Sequence, residues 1–247
     1  AVDYALDREN MVFNIASGVA APLFTPEPLS SIYLNEQVAK GHPQDINKAK
    51  ELLKKSGFTW KKGKLYDKDG NKVEFDLYTN AGNTERESIG VMVKQDLEEL
   101  GMTVNFKPIE FNTLVSKLVN TNDFDAVIMG FTGSPLEPYG GKNVWYSNGT
   151  LHVFNMRKTP EENKKLFDWE RQLNSLFDRA SLELDFDKRK ALYEQYQQLI
   201  YDEKPINAFF HSNSGGITET SLNIWGGIDY PYLKSVETSG EDGYNQY

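Results

Sequence analysis

The chain has 247 residues, 39% of them apolar and 13% aromatic, with a net charge of −9 and no cysteine. That length allows one large domain or two modest ones with a packed core, and the acidic balance speaks against non-specific nucleic-acid binding. The missing thiols exclude disulfides, thiolate zinc sites and cysteine nucleophiles together.

No apolar run approaches the ~18 residues of a membrane span. The opening AVDYALDREN reads as the middle of a helix with no signal peptide before it, so a targeting segment is expected upstream. In chain order, Val2, Ala5, Leu6, Met11, Val12 and Ile15 recur at helical spacing, which predicts one amphipathic helix closed by Gly18. Residues 21–44 carry Pro22, Pro26, Pro28 and Pro43 and are expected to run irregularly over a surface. Asp45 is placed to cap a helix through Ser56, with Ile46, Ala49, Leu52 and Leu53 inward and Gly57 as its stop.

Leu65 to Asn80 reads as a hairpin turning at Asp69-Gly70, with Val73, Phe75 and Leu77 on one face of its second strand. Thr84-x-x-Glu87 offers a capping box for a helix that buries Ile89, Met92, Val93, Leu97 and Leu100. Met102, Val104 and Phe106 alternate in the next strand, Phe111 to Asn120 is helical, and Ala126-Val127-Ile128-Met129 is a strand covered on both faces. Strands separated by helices of this length pair in parallel through right-handed crossovers, so residues 73–131 predict an α/β sheet flanked by helices. Further on, Thr159-Pro160-Glu161-Glu162 is placed to start a helix buried along Leu166, Trp169, Leu173, Leu176, Phe177 and Ala180. Asp185 or Asp187 caps another, which carries Leu192, Tyr196, Leu199 and Ile200, and Ile206 to Phe210 is a strand. The tail from Ser212 has too little periodicity to pack alone.

The functional stretch is the loop that leaves the central strand, because open α/β sheets hold ligands beyond the carboxyl ends of their strands. Phe131, Tyr139, Trp145 and Tyr146 supply flat apolar faces, and Thr132, Ser134 and Asn143 supply hydrogen-bonding groups. That mixture furnishes a pocket for a small polar molecule; the alternative is that Trp145 and Tyr146 are packed beneath the loop. Glu137 is the one carboxylate in the loop. A glycosidase would need a second acid several Å away, and no nucleophile elbow or glycine-rich phosphate loop occurs, so the chain is not expected to be an enzyme. His42, His152 and His211 are scattered, and Asp67-Lys68-Asp69-Gly70-Asn71 departs from a calcium loop at Lys72 and Tyr78. No metal or cofactor is expected.

Several segments together resemble bacterial extracellular solute-binding proteins of the oligopeptide/dipeptide class, family 5, which serve ABC importers. They are Ala5-Leu6-Asp7-Arg8 in the opening helix, DINKAKELLKKSGF at 45–58, Asp123-Phe124-Asp125-Ala126 before the central strand, and DKRKALYEQYQQLIYDEKPI at 187–206. The resemblance covers about residues 1–210. It implies a periplasmic-binding-protein-like lobe of the type II Venus-flytrap kind, with a mainly parallel sheet. Residues 1–208 would be the C-terminal lobe, and 209–247 a hinge-return segment and tail belonging with a missing N-terminal lobe. It further implies an exported monomer, periplasmic or lipid-anchored at the cell surface, that delivers a peptide to ABC permease subunits. In peptide-binding members this loop carries an aspartate that pairs with the peptide's α-amino group. Aligned through Glu137-Pro138, that position is Ser134. A neutral serine cannot supply the charge-assisted bond, so either Glu137 substitutes or the ligand lacks an amine. An oligosaccharide or other uncharged solute is the alternative ligand; a glycoside hydrolase and a ligand-sensing module are more remote ones.

Overall fold

The computed structural model describes residues 1–16, 20–132, 134–155, 166–212 and 219–225, with backbone alone at 131–132, 210–212 and 219–225. The opening segment is two helices rather than one, α1 (Val2–Ala5) and α2 (Arg8–Ile15). Asp7 breaks them apart because its carboxylate caps the second helix, accepting from Asn10 N at 3.0 Å. Gly18 lies outside the described residues. Strand β1 (Ala20–Pro22) follows, and α3 is the short turn Glu36–Ala39.

The proline-marked stretch between them does not simply cross a surface. Leu23, Phe24, Thr25, Glu27 and Tyr33 are buried. An irregular segment can go inside only if its polar groups find partners, and here Gln197 supplies many of them. Its Oε1 accepts from Thr25 Oγ1 at 3.0 Å and Asn35 N at 2.8 Å, and its Nε2 donates to the carbonyls of Tyr33 and Tyr193.

Helix α4 (Ile46–Lys55) starts at Asp45 as expected, with Lys48 N donating to the carboxylate at 2.8 Å. Next comes a hairpin of β2 (Thr59–Lys61) and β3 (Lys64–Tyr66), which turns at Lys62-Gly63. Both turn residues have positive φ, 51° and 76°, the combination that a two-residue hairpin turn demands. The expected hairpin at Asp69-Gly70 is reduced to a turn. Asp67 spends its carboxylate there on the backbone N–H groups of Asp69 and Asn71, and a single bridge joins Tyr66 to Lys72.

The strand beyond that turn, β4 (Glu74–Asn80), leaves for the main sheet and pairs in parallel with β5 (Thr103–Ile109) along its whole length. Between them runs α5 (Thr84–Glu99). Its cap is Asn83, one residue before the expected Thr84, and Glu87 reaches back to the Gly82 N–H at 2.7 Å. Helix α6 (Phe111–Ser116) continues as a π-helical turn to Thr121 and leads to the central strand β6 (Ala126–Thr132). After α7 (Lys142–Trp145) come α8 (Asp168–Leu182) and α9 (Phe186–Glu203), which pack on each other; the expected cap at 159–162 lies outside the described residues.

The sheet order is β1-β7-β8-β6-β4-β5, with β7 Ile206–Ser212 and β8 Glu219–Trp225. The expected α/β architecture is present, and its parallel part is β5-β4-β6. From β6 the sheet continues antiparallel through β8 and β7 to β1. Strand β4 thus has the strand that follows it on one side and β6 on the other. Right-handed crossovers that run from β4 out to β5 through α5, and from β5 back past β4 to β6 through α6, place the two helices on opposite faces. The connections leave the carboxyl ends of β4 and β6 toward opposite sides of the sheet, the place where open α/β sheets hold their ligands.

Candidate functional site

Strand β6 runs directly into the candidate loop, and its apolar residues anchor that exit. Ala126, Val127 and Ile128 are completely buried, and Thr79 on β4 donates its hydroxyl to the Ile128 carbonyl at 3.1 Å. At the carboxyl edge Gly130 lets Arg86 of α5 lie against the strand. A Cβ on Gly130 would stand 2.4 Å from Nη2 of Arg86, whose Nη1 donates to Asn80 Oδ1.

Beyond the strand the loop is a built structure. Ser134 is exposed, and its Oγ accepts from Leu136 N at 3.2 Å. Pro135 accepts at its carbonyl from the Ile32 N–H, tying the loop to the buried proline-marked segment. Glu137 then caps a 3₁₀ turn, Pro138–Gly141, by accepting from Tyr139 N at 3.0 Å. The same oxygen accepts from the Tyr193 hydroxyl at 2.6 Å, and the other oxygen pairs with Arg189. Burial alone would raise the Glu137 pKa, but Tyr193, the Tyr139 N–H and Arg189 outweigh it and hold the carboxyl below its ordinary range.

Tyr139, Tyr146 and Lys142 form a second group. The Lys142 ammonium donates to the Tyr139 hydroxyl at 3.0 Å and lies 4.3 Å from the centre of the Tyr146 ring. Tyr146 donates to Asp178 on α8 at 3.0 Å, and Asn143 binds its own loop by accepting from Thr150 N at 2.8 Å.

Trp145 is buried, its ring 5.9 Å from that of Tyr196 and 6.0 Å from that of Phe154. Its indole therefore faces the core in this structure, beneath the loop. Of the expected pocket residues, Ser134 and Asn143 are exposed and Glu137, Tyr139 and Tyr146 are half-buried. Phe131 and Thr132 are described by backbone alone, at the end of β6 opposite Thr220 and Glu219.

Sequence reasoning missed Arg189, Tyr193 and Arg86. Arg189 and Tyr193 lie four residues apart, so they share a face of α9, and that spacing was the available signal. It also missed a buried pair behind the loop. His152 Nε2 lies 2.8 Å from Glu170 Oε1, and its Nδ1 lies 3.0 Å from the Val144 carbonyl. Glu170 Oε2 accepts from Asn155 Nδ2 and from Phe167 N. Among the described residues no cluster of histidine and acidic side chains could hold a metal ion.

The model for bacterial extracellular solute-binding proteins, family 5 middle region, matches residues 1–152. The chain belongs to that family. Family 5 is one of extracellular solute-binding proteins and not of enzymes. The chain is 32% identical over 219 residues to a Deinococcus radiodurans protein named "Probable ABC transporter-binding protein", covering 83% of this chain and 36% of that one. It is 30% identical over 228 residues to the oligopeptide-binding protein AppA of Bacillus subtilis, covering 87% of this chain and 38% of AppA. The structure of AppA in complex with a nonapeptide superposes with a TM-score of 0.69 at 25% identity, covering 100% of this chain and 46% of that one. The mannohexaose-bound oligopeptide-binding protein of Thermotoga maritima shares the fold, with a TM-score of 0.67 at 16% identity over 91% of this chain and 41% of that one. The chain thus spans less than half the length of these relatives. Among the described residues no helix is long and apolar enough to cross a membrane.

Proposed function

We propose that this chain is the C-terminal, ligand-holding lobe of the substrate-binding component of an ABC importer. It would capture an oligopeptide or dipeptide in a cleft between two lobes and deliver it to permease subunits in the membrane. The observation that carries the reading is the loop 134–146, which rises from the carboxyl end of β6 beside the parallel pair of β4 and β6 in a family 5 chain. On this reading the protein is exported and works in the periplasm or anchored at the cell surface. Residues 1–208 make the lobe, and 209–247 return toward the second lobe. The strand pairing of β7 and β8 with this sheet would then be where that return docks.

A second reading of the ligand rests on a specific observation. Ser134 is neutral and exposed, and both Glu137 oxygens already accept hydrogen bonds from within the protein. A peptide's α-ammonium therefore meets no uncommitted carboxylate at either position, which favours an oligosaccharide or another solute without an amine at this wall. Native mass spectrometry of the full-length protein, titrated with a mixed peptide pool and with cello-oligosaccharides, separates the two. A retained peptide supports the first reading, and a retained sugar with rejection of every peptide supports the second. Binding of neither class would overturn both.

A further inference from the structure

Solute binding by itself leaves two features unexplained: Glu137, the one carboxylate of the loop, and the pair Arg189 and Tyr193 on α9, inside the family-like segment 187–206. The structure brings them together. Glu137 accepts from the backbone of its own loop through Tyr139 N at 3.0 Å. It also accepts from two side chains of one helix, the Tyr193 hydroxyl at 2.6 Å and the Arg189 guanidinium. One carboxylate therefore couples the loop's main chain to α9.

A third segment closes the arrangement. The Arg189 guanidinium carbon lies 5.7 Å from the centres of both the Tyr33 and Tyr193 rings, so it is flanked by flat faces from α9 and from the segment at 31–34. That same segment donates the Ile32 N–H to the Pro135 carbonyl at 3.0 Å, two residues before Glu137. Lys190, next to Arg189, donates to the Leu34 carbonyl at 3.0 Å. Arg189 Nε is buried with no acceptor among the described residues, a cost the protein carries to keep the guanidinium turned to Glu137.

From this geometry we infer that Arg189 and Tyr193 are positioning residues: they hold Glu137, and through it the backbone of residues 134–146, in the shape in which the loop meets its ligand. The inference rests on the reading of that loop as a ligand loop. Glu137 on this account serves the protein's own side chains and not the solute. Ligand affinity depends on Arg189 and Tyr193 even though neither touches the ligand, because a loop that must first be ordered binds more weakly.

The test uses the full-length protein in two arms. Hydrogen exchange is followed in the ligand-free protein, and calorimetry measures affinity for a synthetic nonapeptide. In Glu137→Gln and Arg189→Gln, amides of 134–146 should exchange about tenfold faster or more, while those of α5 and β4 stay unchanged. Peptide affinity should fall on the order of tenfold in each, the Glu137→Gln/Arg189→Gln double variant should be no worse than either single, and Arg189→Lys should recover part of the loss. Tyr193→Phe keeps the ring in the core and removes only the hydroxyl. It carries the test if the Arg189 variant does not fold. Unchanged loop exchange, fully additive losses, or an affinity indifferent to Tyr193→Phe in a protein that binds the peptide would overturn the inference. If the wild type binds no peptide, the peptide reading falls, and the exchange arm still decides the positioning role.

Discussion

Tyr196 donates its hydroxyl to Oε1 of Glu27 at 3.1 Å, and both residues lie in the interior, Glu27 at 5% and Tyr196 at 0% exposure. Burial lifts the Glu27 carboxyl from its ordinary 4.5 to about 7, against the pull of the Tyr196 bond and with help from the nearby charge of Glu137.

The consequence for stability has a definite sign. A raised carboxyl pKa means that the folded state keeps a proton that the unfolded state has already released. The stabilisation is complete below about pH 4.5 and is lost as pH rises toward 7. The full shift corresponds to roughly 3 kcal/mol. Glu27→Gln removes the titration, so the variant should be more stable than the wild type at pH 8 and show a flatter profile between pH 5 and 7. Urea unfolding at four pH values checks it; an unchanged slope would sink the idea. Asp96, raised to about 6 by burial, leaves a smaller residual slope of the same sign.

The pair of His152 and Glu170 carries a different prediction, because both side chains are almost wholly buried. Removing one member of such a hydrogen-bonded pair leaves polar atoms buried and unsatisfied, and Glu170 serves three partners at once, so the cost is about 3–5 kcal/mol. Glu170→Ala should lose about that much, since the Asn155 amide and the Phe167 N–H lose their acceptor together with the imidazole. The solvent-facing pair of Lys48 and Glu51 is the control, where Glu51→Ala should cost far less. Comparable losses at the two sites in chemical denaturation would show that burial of the first pair does not matter.

Asp3 governs the acid limb. Burial pushes its pKa up, yet His42, Arg8 and Lys204 gather on the carboxylate and hold it far below the usual 3.8. Its Oδ2 is 2.7 Å from His42 Nε2 and 3.0 Å from Lys204 Nζ, and Oδ1 pairs with Arg8. A depressed carboxyl contributes stability that is present above its unfolded pKa and is lost as pH falls below about 4. Asp3→Asn should therefore weaken the protein at pH 7 and flatten the loss between pH 4 and 2. Thermal melts across that range would report it, and a variant that parallels the wild type all the way down would contradict the assignment.

How much of this was readable beforehand depends on whether the signal was local. The β-α-β-α-β order came through because Val104 and Ile128 sit in period-two or wholly apolar runs and Ile89, Val93 and Leu97 in a helical one. The cap at Asp45 came through, and the cap at Asp185 as one of two candidates with Asp187, because the carboxylate acts on an N–H three residues on. The Lys62-Gly63 turn did not, since lysine at positive φ is not a residue one looks for in a hairpin. The proline-marked segment looked superficial because the Gln197 amide that satisfies it lies 172 residues from Thr25. Distance hid the loop's anchor too. Glu137 and Arg189 are 52 residues apart, and no window of sequence holds both. The aromatics of the loop were legible as aromatics, but not which way they face. Trp145 turns inward because Phe154 and Tyr196 offer it ring contacts there.

Helix α5 offers a test of packing against propensity. Gly90 sits in its interior, where alanine would ordinarily gain about 1 kcal/mol. A Cβ at that position would stand 2.1 Å from the Phe106 ring on β5, so the missing methyl is what lets the helix approach the sheet. The ring cannot move away freely, since Phe106 packs against the core from a strand paired along its length with β4. Overpacking of this kind costs about 1–3 kcal/mol and should exceed the propensity gain. Gly90→Ala is therefore expected to destabilise, by up to about 2 kcal/mol net of propensity. Against a Phe106→Leu background, where the ring is gone, the same change should cost less or turn stabilising. Urea midpoints of the two single variants and the double decide it: additive changes would mean that Gly90 and Phe106 do not constrain each other, and a coupling of about 1 kcal/mol would mean that glycine is there to admit the ring.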